Sequence, residues 1–205
     1  MGAVALDHFL RRLDQALDHP AEITVMGASI LIALGMRDRQ TMNVDVWAEV
    51  NSDDAEQVVA AAREANIPIS SDSFDEPEEP YLQIVDRRAA HMPLNQDWLE
   101  GRTPVWSGNL LTVLAPSLEL MAASKLSLGR DRDLDDVRFL FSLDPCLEDR
   151  ILEAAQSFSQ INKENILGNL EVTKIMMDSF KPSNIKFSNK PDQEQHEQPP
   201  RKSAP

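Results

Sequence analysis

The strongest constraint on this chain is a closely spaced series of elements: a short strand, a glycine, a helix and a second strand. Ile23–Met26 is a β-branched apolar run that predicts a buried strand, and Gly27 interrupts it. The apolar stretch Ala28–Leu34 predicts a helix, and Met42–Trp47 alternates apolar with polar residues as a strand does. Strands and a helix so closely spaced favour an α/β or α+β domain over an all-helical one.

The rest of the chain predicts further helices mixed with strands. Apolar periodicity predicts helices over 3–18, 53–67, 116–128, 131–141, 147–158 and 162–180, and strands over 81–85, 103–106 and 110–114. Residues 71–80 contain five acids and two prolines, so we expect a solvated loop there. We therefore predict an α+β fold with a mixed, helix-flanked sheet over 1–145 and C-terminal helices over 146–180.

Charge divides the chain into two unequal parts. The 205 residues contain 34 acids and 20 bases, for a net charge of −14, but residues 181–205 contain five bases, three acids and five prolines. That segment has too little apolar surface to offset the entropy of ordering, so we predict a disordered tail. The acidic remainder argues against a protein that coats nucleic acid non-specifically, because such binding depends on Lys and Arg.

Targeting and redox signals are missing from the sequence. No apolar run reaches the roughly 20 residues of a membrane helix, and the first residues do not resemble a signal peptide, so we expect a cytoplasmic protein without a membrane partner. The single cysteine, Cys146, cannot form an internal disulfide, and we expect it to be a small buried apolar group.

Polar groups converge near the first glycine. Gly27, Ala28 and Ser29 open a helix directly after a strand, where backbone N–H groups and a hydroxyl can bind phosphate. Asn43 and Asp45 are two residues apart on the next strand and therefore point to one face. Such oxygen ligands, together with substrate phosphates, suit Mg²⁺.

These residues carry a resemblance to a known superfamily. The stretch ITVMGASILIALG at 23–35, followed by RQTMNVDVW at 39–47, resembles the nucleotidyltransferase core, which has a strand, a Gly-Gly or Gly-Ser helix start and a strand with Asp-x-Asp. The run PSLELMAASKL at 116–126 and the acids after Arg130 are similar to the helical part of bacterial relatives, which include abortive-infection toxins. The resemblance covers residues 1–145.

The resemblance implies an antiparallel-edged, mixed sheet that binds a nucleoside triphosphate and Mg²⁺. It places phosphate at Gly27 and Ser29, and it implies Mg²⁺ ligands at Asn43, Asp45 and, less directly, Asp86. It further implies catalytic roles for Asp45 and for three residues of the helical part, namely Lys125, Asp133 and Asp136. From the residues alone we add Arg37 and Arg39 as guanidinium groups that can bind phosphate oxygens.

Two departures and several alternatives stay open. Ala28 replaces the second glycine, and Asn43 replaces the first aspartate with a neutral amide, which binds Mg²⁺ more weakly. Asp45 is alternatively an ion-pair partner of Arg37 or Arg39, and Asn43 alternatively bonds only to the backbone. Lys125 is alternatively a surface lysine, although it is the only lysine among the first 162 residues, and the acids at 131–136 alternatively form an ordinary first helical turn.

Three hypotheses of function follow. The first is a transferase that moves a nucleotidyl group from NTP to an RNA or protein acceptor, and one form of it is the toxin-like half of a pair with a cognate antitoxin. The second is a catalytically degenerate member that binds a nucleotide or a partner protein, and the third is an acidic interaction protein. A tRNA acceptor requires a local basic face, for which the candidate residues are Arg37, Arg39, Arg87, Arg88, Arg130 and Arg132.

Overall fold

A computed structural model describes residues 1–47, 52–70, 77–85, 91–93 and 95–179. The predicted tail at 181–205 and most of the predicted acidic loop lie outside these residues. The helices are α1 (Ala3–Gln15), α2 (Gly27–Ala33), α3 (Ser52–Glu64), α4 (Leu118–Leu128), α5 (Asp131–Leu143), α6 (Leu147–Ala154) and α7 (Gln160–Ser179). The strands are β1 (Ala21–Met26), β2 (Asn43–Trp47), β3 (Ile69–Ser70), β4 (Tyr81–Val85), β5 (Thr103–Ser107) and β6 (Leu111–Ala115).

The six strands form one mixed sheet in the order β3-β4-β2-β1-β6-β5. β1 lies parallel to β6 and antiparallel to β2, and β2 lies parallel to β4. The prediction of a mixed, helix-flanked sheet with C-terminal helices is confirmed. The expected antiparallel edge is present at β5, which pairs with β6, whereas β3 at the other edge lies parallel to β4.

Helices cover both faces of the sheet. Val44 and Val46 on β2 and Leu82 on β4 belong to a core cluster with α1 and α3. Trp47 and Val85 have the opposite parity on those strands and pack in a second cluster with α4–α7. Because side chains alternate along a strand, the odd-numbered residues of β2 and β4 face the C-terminal helices.

Local sequence explains where helices begin and end. In α1 the side chains of Leu6, Phe9, Leu10 and Leu13 are buried at helical spacing, whereas Val4, expected on the same face, is 87% exposed. Gly129 ends α4 in the left-handed conformation with φ 64°, which glycine adopts without steric cost.

Several expectations need correction. Cys146 is exposed, so the prediction of a buried apolar thiol is wrong. The pattern missed β3 and a 3-10 turn at Asp97–Gly101, which are too short to show a period. No described helix is long and apolar enough to cross a membrane.

Candidate functional site

The centre of the sheet presents three polar side chains on the face that carries the C-terminal helices. Asn43 and Asp45 lie two apart on β2, and Gln83 on β4 is the register partner of Asp45. Asn43 Nδ2 lies 2.7 Å from Asp45 Oδ1 and 2.6 Å from Gln83 Oε1. The parallel pairing of β2 with β4 therefore brings two amides and one carboxylate into a single hydrogen-bonded group.

The hydrogen bonds of Asn43 fix the orientation of its amide. Its nitrogen donates to two oxygens, those of Asp45 and Gln83, and its Oδ1 accepts a 2.6 Å bond from Thr41 Oγ1. The reversed amide would turn its oxygen toward two other acceptors, which is unfavourable. The alternative that Asn43 bonds only to the backbone is therefore not what the structure shows.

Gly27 has a structural reason to be glycine. Its φ is +70°, and a Cβ built on it would lie 2.3 Å from Asp45 Oδ2. Met26, the residue before it, pairs directly with Asp45 between β1 and β2. The Asp45 carboxylate therefore occupies the space beside Gly27 where the sequence predicted a bound phosphate.

Asp45 forms no ion pair with any of the described residues. Burial raises the pKa of its carboxyl to about 6, and the positive charge of Lys125 acts in the opposite direction. The alternative of an ion pair with Arg39 is not observed, because the Arg39 guanidinium binds both oxygens of Asp136, at 2.9 and 3.2 Å.

The helices opposite the sheet carry an ion-pair cluster. Lys125 Nζ on α4 lies 3.1 Å from Asp133 Oδ1 and 2.8 Å from Asp136 Oδ2, both on α5. Arg130 Nε contacts Asp133 Oδ2 at 2.7 Å. Asp133 and Asp136 are 2% and 0% exposed, so they are buried anchors for three cations that include Arg39.

The electrostatics of this cluster differ from those of Asp45. Although burial opposes the change, the hydrogen bond from Arg130 and the charge of Lys125 lower the pKa of Asp133. The alternative that Lys125 is a surface lysine is not what the structure shows, because its side chain is only 13% exposed and its ammonium group has two carboxylate partners. Its catalytic role stays a prediction.

A cavity of about 830 Å³ lies between the sheet and the ion-pair cluster. This volume lies within the usual range for small-molecule sites, roughly 300–1,000 Å³. Its polar lining includes Gly27, Arg39, Thr41, Asn43, Asp45, Gln83, Ser124, Lys125, Arg130, Arg132 and Asp133, and its apolar lining includes Met26, Leu31, Met42, Val85, Met92 and Met121.

The structure brings most of the predicted site residues together. Gly27, Arg39, Asn43, Asp45, Lys125 and Asp133 line the cavity, and Asp136 lies behind it, bonded to Arg39 and Lys125. Their assigned roles in phosphate binding, metal binding and catalysis stay predictions.

Two predicted residues, Ser29 and Arg37, do not join this group, and a third lies outside the described residues. The Ser29 hydroxyl is buried and donates to the Met26 carbonyl at 3.1 Å, and Ser29 lies beside Leu6 and Val25 rather than on the cavity. Arg37 is exposed and does not line the cavity. Asp86, and with it Arg87 and Arg88, lies outside the described residues.

Sequence reasoning missed Gln83. A polar residue at the centre of the apolar strand Tyr81–Val85 does indicate a special role. Its partner, however, is Asn43, which lies 40 residues earlier in the chain and meets Gln83 only through the register of β2 with β4. Arg130 and Arg132 were expected on a basic face for RNA, and in the structure both line the cavity.

The donor set allows a test of the expected Mg²⁺ site. Mg²⁺ prefers carboxylate and phosphate oxygens in octahedral geometry. Among the described residues of β2 and β4, Asp45 is the one carboxylate on this face, and the Asn43 N–H₂ group lies between the Asp45 and Gln83 oxygens. Within the described ranges, no three His, Cys, Asp or Glu side chains form a group that could hold a metal ion. These residues do not fit a carboxylate-based Mg²⁺ site.

Comparison with known proteins identifies a family. A family model described as "Nucleotidyltransferase of unknown function (DUF6036)" matches residues 3–181, which is most of the chain. No curated protein and no solved structure matches it.

Proposed function

This chain belongs to the nucleotidyltransferase family of unknown function DUF6036, and from that premise we propose that its cavity binds a nucleoside triphosphate. The observation that carries the proposal is the set of four cationic side chains, Arg39, Lys125, Arg130 and Arg132, on one cavity of nucleotide size. Their charge offers an otherwise acidic protein a local site for an anionic ligand.

We assign the phosphates to the cations on the helical side of the cavity, including Arg39 from the segment between α2 and β2. Lys125 and Arg39 are held by buried carboxylates, so their positions are fixed before a ligand arrives, which reduces the entropy cost of binding. Arg132 is exposed and lines the cavity, and it can turn toward a phosphate without giving up an ion pair of the described residues.

The base is assigned to the apolar part of the lining. Met26, Met42, Met92 and Met121 all line the cavity. Methionine is unbranched and polarizable, and it packs well against aromatic rings. A surface of this kind contacts the face of any nucleobase, so we expect modest discrimination among bases.

Calorimetric titration with ATP, GTP, CTP and UTP in turn tests the proposal. We expect binding of at least one of them, and we expect Arg132→Ala to weaken it about tenfold, equivalent to about 1.4 kcal/mol. Arg138→Ala is the matched control, because Arg138 lies on the same helix, pairs with Asp135 at 3.1 Å and does not line the cavity. No heat with any of the four nucleotides, or equal losses in the two variants, would contradict the proposal.

Nucleotidyl transfer is the second candidate function, and the position of Asp45 favours it. A carboxyl group with a pKa near 6 on the cavity can accept a proton from an acceptor hydroxyl near neutral pH. The hydroxyl oxygen would form a bond to the α-phosphorus while the bond from that phosphorus to the bridging oxygen breaks, and pyrophosphate would leave.

The acceptor of such a transfer is an RNA or a protein in this proposal, and a toxin-like role with a cognate antitoxin would follow from it. Incubation with α-labelled NTP and either bulk tRNA or cell protein tests the reaction. We expect label to enter one of the two pools and Asp45→Asn to abolish it. For a tRNA acceptor, Arg37→Glu should also abolish incorporation without affecting nucleotide affinity, because Arg37 is exposed and lies off the cavity.

A further inference from the structure

Resting on the proposed nucleotide site, we propose that the cavity binds the triphosphate through its own cations, without a divalent metal, because the described residues at the centre of the sheet present two amides and one carboxylate to it. The inference depends on the hydrogen bonds at the centre of the sheet and on the cluster of cations opposite.

The first step is the chemistry of the sheet side. Asn43, Asp45 and Gln83 share one face of β2 and β4, and together they carry a single formal negative charge. A hard cation that loses part of its water shell needs anionic oxygens in return. One carboxylate and two neutral amides offer weak compensation for that loss.

The second step is the orientation of Asn43. Its nitrogen donates to an Asp45 oxygen at 2.7 Å and to the Gln83 oxygen at 2.6 Å, so a cation held between these two oxygens would meet the amide N–H₂ group. Binding a metal there requires this amide to turn and to lose both donor bonds and the bond from Thr41. The amide nitrogen thus takes the place that a bridging metal would need.

The third step is the charge on the opposite side. Four cations, Arg39, Lys125, Arg130 and Arg132, line the cavity. The first three pair with the carboxylates of Asp133 and Asp136, and Asp45 is a third carboxylate beside them, so these groups leave one positive charge in excess. This excess of positive charge remains available to an anion. Arginine and lysine can hydrogen-bond phosphate oxygens directly, which is the contact that a metal would otherwise make.

Titration of the nucleotide found above into the wild type, once with excess EDTA and once with excess MgCl₂, tests the inference. We expect the two affinities to agree within about twofold. Binding that weakens about tenfold or more in EDTA would overturn this inference and leave the proposed function intact. Absence of binding under both conditions would refute the proposed function, and this inference with it.

Replacing the two amides by carboxylates gives the converse test. The isosteric double variant Asn43→Asp/Gln83→Glu creates three adjacent carboxylates, so we expect it to bind Mn²⁺, measured by electron paramagnetic resonance without nucleotide, and the wild type not to bind it at the same concentration. If mutual repulsion keeps the double variant from folding, each single change is measured instead. Equal Mn²⁺ binding by wild type and variants, or none by any folded variant, would show that the amides are not the cause and would overturn the inference.

Discussion

The two sides of the cavity handle charge in opposite ways. On the helical side, Asp133 and Asp136 are fully buried and each contacts two cations. On the sheet side, Asp45 is half-buried without such a partner among the described residues and accepts a hydrogen bond from a neutral amide. Carboxylates beside one cavity therefore differ in their surroundings: those on α5 hold cations, whereas burial raises the pKa of Asp45 to about 6.

The largest expected effect comes from removing an anchor on the helical side. Asp136→Ala leaves Arg39 and Lys125 without their shared, fully buried partner, and breaking such a pair typically costs about 3–5 kcal/mol. Urea denaturation followed by circular dichroism measures the loss. Asp135→Ala is the control, because that side chain is 59% exposed and its pair with Arg138 should contribute under about 1 kcal/mol. Similar losses in the two variants would mean that the buried ion pairs stabilise the fold no more than the exposed pair does.

A smaller loss of stability is expected from a substitution at Gly27, which lies beside Asp45 on the sheet side. Gly27→Ala places a Cβ 2.3 Å from Asp45 Oδ2 at a φ of +70°, and such strain costs about 1–3 kcal/mol. Combined with Asp45→Ala, the same change should cost less, because the clash with the carboxylate disappears and only the backbone strain remains. Unfolding free energies of the four proteins in this cycle give the coupling directly, and purely additive losses would contradict the close contact.

The smallest effect has the opposite sign. Because the folded-state pKa of Asp45 lies near 6, above its ordinary value of 3.8, the ionised carboxylate destabilises the fold above both values. Asp45→Asn should therefore raise the unfolding free energy at neutral pH by about 1 kcal/mol, less than the roughly 3 kcal/mol of the full pKa shift because the half-buried carboxylate stays partly hydrated, and the gain should fade as the pH drops through 6 toward 4.

Asp14→Asn is the control of opposite sign. Although burial opposes the change, hydrogen bonds from the backbone N–H groups of Asn109, Leu110 and Leu111 lower the pKa of Asp14. Its loss should destabilise the protein at neutral pH and matter less as the pH falls below the usual aspartate range. A pH-independent gain in Asp45→Asn would show that its carboxylate is not strained by burial.

The sequence predicts one side of this comparison better than the other. Local signals were enough for the strand, glycine, helix and strand at 23–47, because each step has its own period or breaker. They also placed Asn43 and Asp45 on one face. The cation cluster depends on tertiary contacts such as Arg39 with Asp136, 97 residues apart, and no local spacing encodes that distance.

The direction in which a side chain points is the second feature that the sequence does not predict. Ser29 had the right position in the chain for a phosphate ligand, yet its hydroxyl bonds to the Met26 carbonyl on the face that packs with α1. Gln83 was missed because its role depends on the register of two parallel strands rather than on its own sequence neighbours. Registers and rotations of this kind are set by packing of the whole sheet.

A crystal structure of the protein with a non-hydrolysable nucleoside triphosphate, grown with EDTA, tests the central claim most directly. The account predicts phosphate oxygens within hydrogen-bond distance of Lys125 Nζ and the Arg130 or Arg132 guanidinium, with the Asn43 amide still bonded to Asp45 and Gln83. Phosphates on the Asp45 side of the cavity, with the Asn43 amide turned away from its present partners, would contradict it.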